Sequence, residues 1–305
     1  MTYRNHPSSR FSDGVSASTQ ENWIANLDIE LGNKRGVTRM THSLHRGPLR
    51  VQKVFQETDG SCHVYLLHPP GGVVAGDQLG IRISTGPQSH GVITTPAAGK
   101  FYRVLSGKSP QIQKNFLKVA EDSLLEWLPQ ETIFFRGVNA VVETHVEVEA
   151  NAQYIGWEIN CLGRRASGEV FDEGCLVQEM TLSSEGKLLH RERNKIQASQ
   201  DDPLRQRRWG LASQDVFGTL IALLPFETIR VDRYAEQSLE DRLMLLLGRN
   251  GAAPYWGVTI KTGILLVRYL GGSSQECREG YMSVRNYLLK TLRQIDAVSP
   301  RIWLT

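Results

Sequence analysis

Cysteine is scarce in this sequence. Its 305 residues include four, Cys62, Cys161, Cys175 and Cys277, widely spaced and with no CxxC pair. A secreted disulfide framework is denser than that, so a reducing, cytoplasmic setting is expected. Long apolar runs are missing as well. No stretch has the ~18 consecutive apolar residues of a membrane-spanning helix. The opening segment MTYRNHPSSRFSDGVSASTQ has no apolar core, so no secretory leader is expected there. Net charge is small: the formal value is +3, with no long block of like charge. Charge alone therefore gives no case for nucleic-acid binding. The Walker pattern GxxxxGK[ST], the GxGxxG fingerprint, HExxH and the GxSxG elbow are all absent, so no signature argues for an enzyme.

The residues that are present suit a soluble globular protein, with 40% hydrophobic and 22% charged. A chain of this length buries most of its apolar surface without disulfides. Residues 1–20 are polar and Ser-rich, which predicts a disordered arm. From Trp23 the pattern changes. Trp23, Ala25, Leu27, Ile29 and Leu31 alternate with polar residues, the period of a strand with one buried face. Leu49, Val51, Lys53 and Phe55 form a second set, with the lysine as its exception. Cys62, Val64 and Leu66 follow, then Leu79, Ile81 and Ile83. Val142, Thr144, Val146 and Val148 oppose Glu143, His145, Glu147 and Glu149. Turn residues separate these runs, so the core is predicted to be mainly β. Two later segments have helical spacing. In the first, Leu239, Leu243, Leu246 and Leu247 share a side, between an N-cap at Ser238 and a stop at Gly248. In the second, Cys277, Tyr281, Val284, Leu288, Leu292 and Ile295 follow Ser273 and Glu276, which have the spacing of a capping box. No linker divides the chain and no sequence repeat is visible, so 21–305 is expected to be one domain.

Four segments are unusual. His68, Pro69, Pro70, Gly71, Gly72, Val73, Val74, Ala75, Gly76 and Asp77 follow a hydrophobic strand. The prolines fix φ and the glycines permit shapes that other residues resist, so a rigid turn is expected. Thr94, Thr95, Pro96, Ala97, Ala98 and Gly99 form a bend leading into Lys100 and Arg103. Those two are expected to be solvated, with anion binding as the alternative. Glu126 interrupts the run Leu124–Leu128. It faces either the surface or a metal, and the surface is expected because unpaired carboxylates are seldom buried. Glu158 shares a face with Gly156 and Asn160, too small or polar for packed core. It either lines a wet passage or pairs with Arg164 or Arg165, since an unpartnered buried charge is costly. Cys62 and His68 face one side of their strand and His63 the other, which gives weak support for a tight metal site.

Taken together and in order, the segments HPPGGVVAGDQL, TTPAAGKFYR, LEWLPQETIFF and LGRRASGEVF, with GPLRVQ before them and the ending PRIWLT, resemble the UreD/UreH family of urease accessory proteins. The resemblance covers most of the chain. Departures are small: VAGD stands where the family often has VGGD, and AAGK where it often has GATK or GASK. The resemblance implies a mainly β fold, with strands stacked in a β-helix-like manner and two helices in the C-terminal part. It implies a non-catalytic scaffold in urease maturation, whose partners are the accessory proteins UreF and UreG and the urease apoenzyme. Nickel would be a transported ion in an internal channel, with no tightly bound cofactor. Glu158, from its strand context, is the leading channel residue, and Asp77 and Glu126 are weaker candidates. The competing readings are a hydrolase on a β scaffold and a tight nickel store.

Overall fold

The computed structural model describes residues 23–199, 202–225, 237–248 and 255–304. The arm expected over residues 1–20 lies outside them. In chain order the strands are β1 (Ile24–Lys34), β2 (Val37–Arg46), β3 (Arg50–Gln56), β4 (Cys62–Leu67), β5 (Gln78–Thr85), β6 (His90–Thr94), β7 (Gly99–Phe101), β8 (Gln111–Val119) and β9 (Leu124–Leu128). They continue with β10 (Thr132–Phe134), β11 (Val138–Val148), β12 (Gln153–Leu162), β13 (Gly174–Ser184), β14 (Lys187–Gln197), β15 (Val216–Leu223), β16 (Tyr255–Lys261) and β17 (Ile264–Gly271). Helices are α1 (Pro203–Gln206), α2 (Leu239–Leu246) and α3 (Ser274–Arg293).

Two sheets face each other. Sheet A has the order β14-β13-β11-β8-β5-β1-β2, and sheet B the order β16-β17-β15-β12-β9-β6-β4-β3, with β7 and β10 attached to its side. Strands β5, β8, β11 and β13 are parallel in sheet A, and β4, β6, β9 and β12 are parallel in sheet B. The chain crosses from one sheet to the other as β4–β5, β6–β8, β9–β11 and β12–β13, so each coil gives one strand to each sheet. This is the helical stacking that the resemblance implied. Short parallel pairings mark one corner of the coil. Thr132–Phe134 pair with Gly99–Phe101 on one side and with Asn160–Leu162 on the other, and Val73 bridges to Phe101. The signature segments, far apart in sequence, are thus successive corners of one coil.

Sheet B is the middle layer. One apolar core, including Leu27, Ile29, Val64, Leu125 and Leu176, lies between the sheets. A second, including Val92, Leu124, Trp157, Leu220 and Val267, lies between sheet B and the helices, which contribute Leu243, Tyr281, Val284 and Leu288. The inner strands of sheet A have one solvated face and alternate: Ala25, Leu27, Ile29 and Leu31 are buried, as are Leu79, Ile81 and Ile83. Trp23, placed in the same series, precedes the strand and is 46% exposed. In β3 the expected phase fails because the register slips between Val51 and Lys53. This bulge brings Val54 opposite Val64 and turns Lys53 outward, which explains the lysine that broke the alternation.

Both expected helices form. Ser238 caps α2 by accepting from Asp241 N, and Leu239 and Leu243 are buried, but Leu246 is half-exposed because the helix makes only about two turns. At α3, Ser273 Oγ accepts from Glu276 N at 3.2 Å. The return half of the box is replaced: Tyr269 Oη receives Ser273 N at 3.3 Å and donates to Glu276 at 3.0 Å. Cys277, Tyr281, Val284 and Leu288 form the buried stripe, while Ile295 lies past the C-cap Gln294. The extra single turn α1, capped by Asp202 with Pro203 at its start, is too short to show a period in sequence.

Helix α3 also overturns the surface position expected for Glu126. That carboxylate is fully buried on the helix side of sheet B, where the guanidinium of Arg285, itself fully buried, reaches it through Nε and through Nη2 at 3.0 Å. His90 Nε2 lies 2.7 Å from Oε1, the oxygen that Nη2 also reaches. Burial alone would raise the Glu126 pKa, but Arg285 and His90 overcome it and hold the carboxyl well below the usual range. Glu126→Ala leaves Arg285 buried without a counter-charge and is expected to cost about 3–5 kcal/mol. Glu126→Leu combined with Arg285→Met should recover most of that loss, since an apolar pair carries no stranded charge. Thermal unfolding of wild type, single and double variants checks both; a double variant no better than the single one would contradict the clamp.

Candidate functional site

Between the sheets, one row of positions is polar where the packing calls for apolar side chains. On sheet A the register sets Asn115 beside Thr144, and Gln178 beside Asn194. On sheet B it sets Glu158 beside Thr219, and Thr219 beside Arg268. The two polar rows meet across the gap. Gln113 Nε2 donates to Asn115 Oδ1 at 3.2 Å, and Asn115 Nδ2 to Thr144 Oγ1 at 2.9 Å. Thr144 and Gln178 each donate to Glu158, one to each carboxylate oxygen. Asn194 Nδ2 then lies 3.4 Å from Gln178 Oε1 and 3.4 Å from Glu192 Oε1. Thr219 Oγ1 donates to Glu192 at 3.0 Å, and Arg268 closes the row on Glu192 at 2.7 Å. A void of about 10 Å³ beside Glu158 is lined by Gln178, Glu192, Asn194 and Thr219, about the size for one water.

Among the described residues Glu158 has no ion-pair partner. The pairing with Arg164 or Arg165 does not occur, because Arg164 binds Glu169 at 2.8 Å and Arg165 binds Asp215 at 3.1 Å. Those arginines follow β12 in the loop outside the sheet, whereas Glu158 points between the sheets. Burial raises the Glu158 pKa against the lowering effect of Thr144 and Gln178, and nearby Glu192 raises it further. Its neighbour Gly156 is small for a reason: a Cβ there would meet the Tyr154 hydroxyl at 2.0 Å.

The first link of the row, Gln113, also lines a cavity of about 250 Å³ behind the signature corners, together with His68, Pro69, Gly71, Gly72, Thr95, Lys100, Gln130 and Thr132. Each corner is locked by its own chemistry. Gly71 and Gly76 take φ of 77° and 84°, and a Cβ on Gly72 would strike the Tyr102 ring. Ala75 is not in that left-handed region, so alanine there causes no strain. Pro70 is exposed at the tip. Thr94 Oγ1 donates to Leu128 O at 2.6 Å, and Thr95 Oγ1 accepts from Gln130 N at 3.0 Å. Arg103 is exposed and paired with Glu173 at 3.2 Å. Asp77 is buried and accepts from Val74 N and Trp23 N at 3.0 and 3.1 Å, tying the turn to the start of β1.

Of the three candidate carboxylates, only Glu158 lies in the inter-sheet row. Asp77 is engaged by backbone donors, and Glu126 is locked to Arg285 on the far face of sheet B. The thiols do not join them. Burial pushes Cys62 up to about 11 and Cys161 up to about 12, so neither is a thiolate at neutral pH. Among the described residues no three His, Cys, Asp or Glu side chains gather in a metal-binding group. The row members Asn115, Thr144, Gln178, Asn194, Glu192 and Thr219 escaped the sequence reading. Their signal was a polar residue in the apolar phase of several strands, as Thr144 is among Val142, Val146 and Val148.

The raised Glu158 pKa has a consequence for stability. An unfolded glutamate ionises near 4.3. Since the folded value is higher, the buried charge begins to penalise folding above the unfolded value and does so fully above the folded one. Glu158→Gln removes that charge and can still accept from Gln178 while donating to Thr144. The variant should melt above wild type at pH 8, with the gain fading toward pH 4. Melting curves across that range check it; a gain independent of pH would contradict the cause assigned.

The family described as UreD urease accessory protein matches residues 24–304 of this chain. The urease accessory protein UreD of Saccharophagus degradans is 40% identical over 290 residues, covering 95% of this chain and 95% of that protein. UreD of Janthinobacterium sp. (strain Marseille) is 41% identical over 309 residues, covering 97% and 99%. UreD of Pseudoalteromonas translucida is 39% identical over 318 residues, covering all of both chains. With the corner motifs and the two-sheet coil already in place, the chain belongs to the UreD family of urease accessory proteins.

Proposed function

We propose that this protein is a non-catalytic scaffold in urease maturation, which bridges UreF and UreG to apo-urease and lets nickel travel along its interior toward the urease active site. Family membership supports the maturation role. The conduit reading rests on one observation: a hydrogen-bonded polar row runs between two apolar sheets from a cavity at the corner motifs to Glu192 and Arg268. Such a row is an expensive use of a core. Amide, hydroxyl and carboxylate oxygens suit a divalent ion that is held briefly, whereas thiolate and imidazole clusters would hold it tightly. Passage requires affinity high enough to enter and low enough to leave.

Glu158 is the charged station of this route. Glu158→Gln should fold and still bind UreF and UreG, yet activate co-expressed urease several-fold less. Glu158→Leu should do worse, because it also removes the acceptor for Thr144 and Gln178. Urease activity and nickel content, with partner pull-down and melting temperature as controls, check this. Normal activation by both variants would remove Glu158 from the route. Nickel retained stoichiometrically by the isolated protein through gel filtration would favour storage instead.

A further inference from the structure

One flank of the sandwich carries an unusual charge pattern. From Val37 to Gln56 the chain has Arg39, Arg46, Arg50 and Lys53, with His42 and His45, and no aspartate or glutamate. This stretch is β2 and β3, the terminal strands of sheets A and B on the same side. Among the described residues each pairs with a single strand, β2 with β1 and β3 with β4, and Thr38 at the start of β2 is tied to Gly60 O and Gln56. Every residue from Thr41 to Arg46 is exposed, and Leu44 is 61% exposed. Among the described residues none of the four cations has an ion-pair partner; Lys53 lies over the Phe55 ring. The opposite flank differs. On β14, Arg191 and Arg193 both reach Glu179, at 3.1 and 3.4 Å, and Glu192 binds Arg268.

An open strand edge offers unpaired N–H and C=O groups, and proteins guard such edges with charge. Here the guard is of one sign, so it repels a second copy of the same strand and attracts an acidic one. We propose that β2 is a docking edge for an acidic, extended segment of a partner protein, which adds a strand to sheet A. Main-chain pairing supplies the register, the four cations supply selection for acidic side chains, and Leu44 gives one apolar contact on the outer face. Protein fits better than nucleic acid. β2 has no Phe, Tyr or Trp to stack on bases, and a phosphate backbone, which only accepts, would leave the strand's carbonyls unpaired. This inference stands apart from the conduit reading, because it concerns the flank and not the inter-sheet row.

The test uses the full chain and a fluorescent peptide, acetyl-Glu-Val-Glu-Thr-Glu-Val-Glu-Thr-amide, followed by anisotropy at low salt. A second peptide has the same side chains with alternate backbone nitrogens methylated, and a 20-base-pair DNA duplex serves as competitor. Binding is expected to weaken at least tenfold for the methylated peptide. It should weaken at least tenfold for the triple variant R39E, R46E and R50E, whose melting temperature should stay near that of wild type because all three sites are exposed. Absence of peptide binding at millimolar concentration would overturn the proposal. So would equal binding of the methylated peptide, which would leave charge alone, or equal binding by the triple variant. Displacement by DNA at concentrations below those of the peptide would assign the flank to nucleic acid.

Discussion

The bond between Glu126 and Arg285 sets the terms for the rest of the molecule. Sheet B must be apolar on both faces because it is packed on both, against sheet A and against α3. A carboxylate in such a layer would be ruinous without a counter-charge. Arg285 reaches in from the helix and engages both oxygens, and His90 shares Oε1 with it. The same guanidinium holds Val298 O at 3.3 Å, which draws the chain beyond α3 onto the sheet. Helix position, C-terminal path and the seal over sheet B therefore share one electrostatic point. With the outer face closed in this way, the inner face is where polar groups meet.

Glu158 solves the same burial problem in the opposite direction. It receives neutral donors only, and burial drives its pKa up, whereas Arg285 and His90 drive that of Glu126 down. The difference separates a structural carboxylate from an available one. A cation approaching Glu126 would have to displace a guanidinium. A cation approaching Glu158 displaces hydrogen bonds from Thr144 and Gln178, and relieves a charge that burial disfavours.

Sheet A was readable from sequence because water covers one of its faces. β1, β5 and β11 show their alternation for that reason. Middle-layer strands have no solvated face: in β4 the residues between Cys62, Val64 and Leu66 are buried as well, and in β9 both faces are buried, so alternation there does not tell core from solvent. That is why Glu126 was misplaced to the surface: its partner lies 159 residues away on a helix, and nothing local reports it. The Glu158 face was legible because Gly156, Glu158 and Asn160 fall in one phase, but its partners come from other strands. The coil itself was hidden for a similar reason. Its corners are closed by prolines and glycines in one coil and by threonine hydroxyls in the next, so equivalent positions share geometry without sharing residues.

Glu192 shows how a route of this kind can avoid becoming a trap. Two free carboxylates close together would chelate a divalent ion and slow its release. Glu192 stands beside Glu158 in the row and raises its pKa, yet its own charge is met by Arg268 at 2.7 Å. The row then offers one unbalanced carboxylate among amides and hydroxyls. Oxygens of that kind hold a divalent ion less tightly than a pair of free carboxylates would. Arg268 stands at the Glu192 end, half-exposed and engaged with that carboxylate. On the proposed reading, an ion moving along the row would meet its one unbalanced carboxylate at Glu158, in the middle. The Gln113 end opens on the corner cavity, whereas passage at the other end would require Arg268 to leave Glu192.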